Sequence, residues 1–262
     1  AYIPPLMKAV YILKIGGEVL QDPTALHEVL EAFVGISGPK ILVHGGGREV
    51  TDLSRKLGVE PQIVEGRRIT DAFQLDLALM LYAGKINTQL VASLQSLGLN
   101  SAGFNGSDLN LIQCKKRELS SLDYGYVGDI TQINVEAFKL LLNQGICPVL
   151  CSITHDANGQ LLNTNADTIA TEIAQALSAQ YAVSLDLLMG PSGIMINLSD
   201  EHSLIERLSS ERYEQLLVEG VLSDGILPKL HNAFNALKKG VKRVRVGNKA
   251  LIQHQKGTEI CL

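Results

Sequence analysis

The chain is short of several things, and each shortage closes off a class of protein. No apolar run reaches the roughly 18 residues that a membrane-spanning helix needs; Lys14 interrupts the first strong run, VYILKI at 10–15. The opening stretch AYIPPLMKAVYILKIGG has no basic segment followed by an apolar signal core and cleavage site. Four cysteines (Cys114, Cys147, Cys151, Cys261) are too few to scaffold 262 residues with disulfides, so a reducing, cytoplasmic setting is expected. Cys147 and Cys151 stand i, i+4 without a second Cys/His pair, too sparse for zinc, and read as core. Net charge is only −4, which argues against a dedicated nucleic-acid binder. The basic stretch LKKGVKRVRV (237–246) reads as a solvated helix end and a strand. Repeats and low-complexity linkers are absent. A hydrophobic content of 46% leaves room for a large core, in one large α/β domain or two small ones.

What is present is alternation. VYILKI (10–15), KILVH (40–44), ICPVLCSI (146–153), YAVSLDLLM (181–189) and VKRVRVG (241–247) read as strands, the last closing the set. Helical spacing covers 24–35 with Thr24 as N-cap, about 47–57, and 71–97 from Asp71 with a break near Gly84. It returns at 135–145 closed by Gly145, 165–179, 209–220 and 225–240. NSAGFNG (100–106) reads as strand and turn, 111–133 as hairpins, and HDANGQLLN (155–163) as a tight turn. Strands alternating with helices predict an α/β fold with a mainly parallel central sheet and helices on both faces. Two lobes would meet near 160–180, although composition marks no boundary there.

Two of the strands end in glycine. LKIGGE and LVHGGGREV both run from strand through glycine into helix, the geometry of an anion site. A helix start offers unpaired N–H groups and a positive dipole end, and missing Cβ atoms let a phosphate reach the backbone. A single such turn serves equally as a tight connection. Neither standard phosphate motif applies: Val50 occupies the third glycine position of G-x-G-x-x-G, and no G-x-x-x-x-G-K-[ST] occurs. In a parallel sheet both turns face one edge, where ligands bind, and Lys14 leaves its strand there. Together these favour binding over a lysine that merely snorkels. LLNTNADT adds Asn163, Asn165 and Asp167 at a helix start, with Asn165 placed to cap it and Asp167 suited to the dipole. SDGILPKLHNAF places Asp224 and Gly225 at a helix start and Lys229 a turn in, plainly readable as solvated. His44 beside the glycines reads as a packing or hydrogen-bonding histidine.

The blocks LKIGGEVL, LVHGGGREV, VEGRRITDAFQLD, GDI, LLNTNADTIA and SDGILPKL, in this order and spacing, resemble the amino acid kinase family. Within it they look most like the branch that phosphorylates N-acetyl-L-glutamate for arginine biosynthesis. Ile15 and Glu18 disfavour an aspartokinase, and Gly17 a glutamate 5-kinase. The resemblance implies a three-layer αβα sandwich, the carbamate-kinase-like fold, as one domain over 1–262. Its N-lobe (about 1–163) would hold the acylated amino acid and dimerise through 71–97. Its C-lobe (about 164–262) would hold ATP, with Mg²⁺ carried by the nucleotide and no metal ligands from the protein.

By the same resemblance, Lys14 and Lys229 hold the charge of the migrating phosphoryl, and Asp167 orients both. Backbone around Gly16, Gly17, Gly45, Gly46 and Gly47 cradles it. Arg68 and Asn163 bind the amino acid, and Asp224 and Gly225 help bind the nucleotide. Gly190-Pro191 stand where relatives carry Asp-Val near the nucleotide. The few residues ahead of the first strand, with Pro4-Pro5, would not form the extra helix of arginine-inhibited, ring-forming members. A homodimer, no ring hexamer, and weak or absent arginine feedback are therefore expected. Arg67 beside Arg68 keeps N-succinyl-L-glutamate open as the substrate. A non-catalytic sensor of the same fold and a kinase for a different small anion also stay open.

Overall fold

The computed structural model describes residues 7–64, 67–118, 122–197, 200–222 and 225–262. In chain order the strands of the two larger sheets are β1 (Ala9–Ile15), β2 (Lys40–His44), β3 (Ser101–Phe104), β4 (Ile112–Lys116), β5 (Gly128–Ile133) and β6 (Cys147–Leu150). They continue with β7 (Ile153–His155), β8 (Leu161–Asn163), β9 (Ala182–Leu188), β10 (Arg207–Leu208), β11 (Arg243–Gly247) and β12 (Thr258–Ile260). Among the described residues the main sheet has eight strands in the order β10-β12-β11-β9-β1-β2-β6-β3. Every pairing from β11 across to β3 is parallel. Strand β12, near the edge, reverses against β11. A smaller sheet, β8-β7-β4-β5, stands beside it.

Strand β1 shows why both faces are covered. Its side chains alternate, as the two-residue period of a strand requires. Val10 and Ile12 enter one buried cluster with Phe138 of α6 (Val135–Asn143), Ile169 of α7 (Ala166–Ser178) and Leu230 of α9 (Leu227–Lys238). Tyr11, Leu13 and Ile15 enter the other with Phe33 of α2 (Pro23–Gly35) and Val50 of α3 (Gly47–Lys56). A strand buried on both faces reads as a continuous apolar run. The result is the expected three-layer sandwich. By the same alternation Lys14 falls on the α7 face, at the end where the strand leaves the sheet.

Local signals set most boundaries, and the exceptions are informative. Helix α2 is capped by Asp22, not Thr24: Asp22 Oδ1 accepts from the Thr24 and Ala25 amides at 3.0 Å, and Pro23 occupies the first helical position. Its C-terminus is closed from the sheet, where Lys40 Nζ donates to the carbonyls of Phe33 (3.2 Å), Val34 (2.9 Å) and Ile36. A cation suits that end of the dipole, although burial holds the Lys40 pKa below its ordinary value. The segment at 71–97 starts on Asp71 as expected, but it does not break at Gly84. Instead α4 (Ala72–Ala78) widens into a π-helical stretch (Leu79–Ile86) and continues as α5 (Asn87–Ser96). The run 146–153 splits between the two sheets, β6 in one and β7 in the other. Among its described residues the segment 111–133 holds a single antiparallel pair, β4 with β5, and 155–163 closes the hairpin β7–β8. The chain adds α10 (Ala250–His254) and β12 after the strand expected to be last.

Candidate active site

Strands β1 and β2 end side by side, with Ile15 opposite His44. Beyond them the chain turns through Gly16 into the short helix α1 (Gly17–Gln21), and through Gly45 and Gly46 into α3. The Gly45 amide donates to the Ile15 carbonyl at 3.3 Å and ties the turns together. Gly46 is obligatory at its position. Its φ is +152°, and a Cβ there would lie 2.4 Å from Ile86 Cδ1 and 2.9 Å from the Tyr82 ring. Tyr82 and Ile86 both belong to the π-helical stretch, a feature often found where a helix is shaped around a site.

Both turns open onto a cavity of about 810 Å³. Its wall also carries Lys14, Arg68, Asn163, Asp167 and Lys229. A volume of this size suits a ligand larger than one amino acid. Of the predicted nucleotide residues, Gly225 is exposed in the turn before α9 and stands outside the cavity wall. Asp224 lies outside the described residues.

The charged centre is built from three distant segments. Asn165 caps α7 as predicted, its Oδ1 accepting from the Thr168 amide at 3.1 Å. Asp167 therefore sits in the first turn. Lys14 Nζ lies 2.8 Å from Asp167 Oδ1, and Lys229 Nζ donates to Asp167 Oδ2 at 2.5 Å. All three side chains are between 10% and 16% exposed. Burial alone would raise the Asp167 pKa; the charges and hydrogen bonds of the two lysines overcome it and hold the carboxyl far below the usual range. Burial lowers the Lys229 pKa, with Asp167 opposing and Lys14 adding to the shift. Two ammonium groups thus share one carboxylate, and the site keeps a surplus of positive charge.

Arg68 is buried at 9% exposure and is held from several sides. Its Nη1 donates to Gln74 Oε1 at 3.2 Å; Nη2 donates to the Gly47 carbonyl at 2.8 Å and to Thr51 Oγ1 at 2.7 Å. Gln74 is fixed in turn by donating to Ser54 Oγ at 2.7 Å. Asn163 Nδ2 donates to Thr70 Oγ1 at 3.1 Å, and its amide to the Tyr126 carbonyl at 2.8 Å. His44 is fully buried and accepts at Nε2 from Asn87 Nδ2 (3.0 Å), while Nδ1 faces the Gly45 carbonyl (2.8 Å). Burial drops its pKa to about 4, so it is a neutral structural group, as its sequence context suggested. Cys147 and Cys151 are buried in the core, their thiol pKa values pushed up to about 12 by burial.

Several wall residues escaped the sequence reading. Arg117 pairs with Asp129 on the rim and stacks over Tyr124 at 5.5 Å. Asp129 stood in the GDI block, but nothing local marked Arg117. Thr51 on the wall, and Gln74 outside it, became visible only through the grip on Arg68. Behind the site, Asp186 is wholly buried, accepting from Tyr11 Oη at 2.6 Å and from Arg245 Nε at 2.9 Å.

The profile described as the amino acid kinase family matches residues 9–248. This chain belongs to the amino acid kinase family. The match runs from the start of β1 to just past β11 and takes in every described residue of the charged centre. An acetylglutamate kinase from Parabacteroides distasonis is 40% identical over 97% of this chain and 100% of its own length. One from Cytophaga hutchinsonii is 44% identical over 91% and 90%. The solved carbamate kinase from Giardia lamblia bound to AMP-PNP shares the fold, with a TM-score of 0.65 at 14% identity over 97% of this chain and 98% of that one. Among the described residues no helix of this amino acid kinase is long and apolar enough to cross a membrane.

Proposed function

We propose that the protein transfers the γ-phosphoryl group of ATP to the side-chain carboxylate of N-acetyl-L-glutamate, giving the acyl phosphate and ADP. The observation that carries this reading is the meeting of Lys14, Asp167 and Lys229 beside two glycine turns. The name acetylglutamate kinase on relatives that align over nearly the whole chain supports the acceptor and favours acetyl over succinyl.

The chemistry asks little covalent help of the protein. A glutamate side chain has a reference pKa near 4.3, so the nucleophile is ionised at neutral pH and no general base is required. The task is to bring two anions into line and to offset charge on the migrating group. Lys14 and Lys229 reach the same point from β1 and α9, and Asp167 holds both ammonium groups there. Amides of Gly16, Gly17, Gly46 and Gly47 donate to phosphoryl oxygens, worth most in a site that excludes water, while the Gly45 amide stays on the Ile15 carbonyl. Arg68, already oriented by Gln74, Thr51 and Gly47, clamps a carboxylate of the acylated amino acid, and Asn163 positions its other end. Among the described residues no three His, Cys, Asp or Glu gather as a metal cage. In this reading Mg²⁺ comes with the nucleotide and would supply further charge neutralisation when bound.

In this reading the segments before about residue 163 serve the amino acid and those after it the nucleotide. The exposed Phe73 and Met80 on the long helical segment are the surface for a homodimer. A sensor that only binds is the weaker reading, because binding an anion does not need two buried ammonium groups clamped on one carboxylate.

Incubation with ATP, Mg²⁺, hydroxylamine and each candidate acid tests the assignment. The expected product is the γ-hydroxamate of N-acetylglutamate, lost in Lys14→Ala. Turnover of N-succinylglutamate at or above that of the acetyl compound would overturn the acceptor; no hydroxamate from any acid would overturn the kinase.

A further inference from the structure

The rim beside the glycine turns carries a device that the phosphoryl chemistry above does not use. Glu18 stands in the first turn of α1, and Arg48 is the second residue of α3. Arg48 Nη2 donates to Glu18 Oε1 at 2.7 Å. One turn further along both helices Gln21 Nε2 donates to Asp52 Oδ2 at 3.3 Å. All four residues line the cavity. The two helices that begin at the two glycine turns are therefore laced together by two rungs.

The first rung also touches the turns themselves. A Cβ on Gly17 would lie 3.2 Å from Arg48 Cγ and 3.3 Å from Cδ, so the arginine stem lies directly over Gly17. A Cβ on Gly190, just past the end of β9, would lie 2.2 Å from Glu18 Oε2. One ion pair thus contacts three strand-end turns around the site. Helix α1 has only five residues and no side-chain N-cap. A helix so short is not stable on its own account and takes its position from tertiary contacts. Charge makes the same point: a solvated Glu18 would set a bare carboxylate beside the path of an anionic ligand, and Arg48 neutralises it.

The geometry points to Glu18–Arg48 as a clasp that holds the Gly16–Gly17 turn in register with Gly45–Gly47, with Arg48 a positioning residue for phosphoryl transfer. This rests on the kinase reading for its effect on rate, but not for its effect on structure. Both side chains are about half exposed, and such pairs contribute little to global stability. Their loss should therefore show locally and in kcat.

Hydrogen exchange of the Leu20 amide, which donates to the Gly16 carbonyl at 3.2 Å, needs no turnover and is measured in the wild type, Arg48→Ala and Arg48→Lys. Faster exchange in Arg48→Ala, with wild-type exchange in Arg48→Lys, is expected, because lysine keeps both stem and charge. Unchanged exchange in Arg48→Ala overturns the clasp. In the hydroxamate assay Arg48→Ala should lose about tenfold to a hundredfold in kcat, the scale of misplacing a reacting group by about 1 Å, and Arg48→Lys should recover most of it. An active wild type with an unaltered kcat in Arg48→Ala overturns the positioning role alone; an inactive wild type with altered exchange overturns the kinase reading and leaves the clasp standing.

Discussion

Asp167→Asn removes the carboxylate between two ammonium groups while keeping the volume and the place at the start of α7. The native distances are 2.8 Å to Lys14 and 2.5 Å to Lys229. Removing one partner from a buried ion pair costs about 3–5 kcal/mol. The loss has a ceiling, because Lys229, whose pKa burial already lowers, can shed its proton instead. Deprotonating at pH 7 a lysine with a reference pKa near 10.4 costs about 4.6 kcal/mol, at about 1.36 kcal/mol per unit. The expected destabilisation near pH 7 is therefore about 3–5 kcal/mol, a large share of the roughly 5–15 kcal/mol available to a folded domain. The sign of its pH dependence follows. In the variant the folded lysine pKa lies further below the unfolded value than in the wild type. Between those two values the unfolded state binds more protons, so stability rises with pH. The gap between variant and wild type should narrow from about pH 7 to about pH 10. Urea unfolding at several pH values, with m checked for constancy, measures it. A loss below about 1 kcal/mol, the range of an exposed pair, or a gap that widens with pH would refute the electrostatic account of this centre.

Arg68→Ala should raise KM for the acylated amino acid far more than it lowers kcat; steady-state kinetics with an unchanged KM would place the clamp elsewhere. Gly46→Ala forces a methyl into Ile86 and Tyr82 at a φ of +152°, for about 1–3 kcal/mol of overpacking and about 1–3 kcal/mol of backbone strain. Gly84→Ala, with nothing within 4 Å of the added carbon, should be neutral or stabilising by up to about 1 kcal/mol; urea unfolding of the two compares them. Since Lys229 titrates below its ordinary range, kcat/KM should fall with rising pH before about 10.4. A profile flat beyond that point would show that its charge is not needed.

Lys14 and Asp186 mark how far local reading reaches. Each is the lone charge in a mainly apolar strand, and in sequence the two look alike. Lys14 stands one residue before the end of β1 and faces the cavity; Asp186 lies on the adjacent strand opposite Leu13, sealed between Tyr11 and Arg245. One residue of register and one change of face separate a site residue from a buried structural pair. Neither depth in the sheet nor face is written locally. The Thr24 cap failed for a narrower reason: two capping candidates competed, and Asp22 with Pro23 behind it was the stronger. The π-helical stretch left no trace in the spacing of its apolar residues, because it answers to packing against Gly46, some 35–40 positions away in the chain.

Residue order was enough to establish the alternation of strands and helices, the two glycine turns, the Asn165 cap and the family blocks. All of these are short-range patterns or runs whose periods of two and 3.6 residues are visible in a string. Assembly had to supply the rest: the union of Lys14, Asp167 and Lys229 on one point, the three-sided grip on Arg68, the lacing of α1 to α3 and the reversal of β12. Those depend on which strands become neighbours and how deep each side chain ends, and a linear sequence carries that information only through the packing of the whole chain.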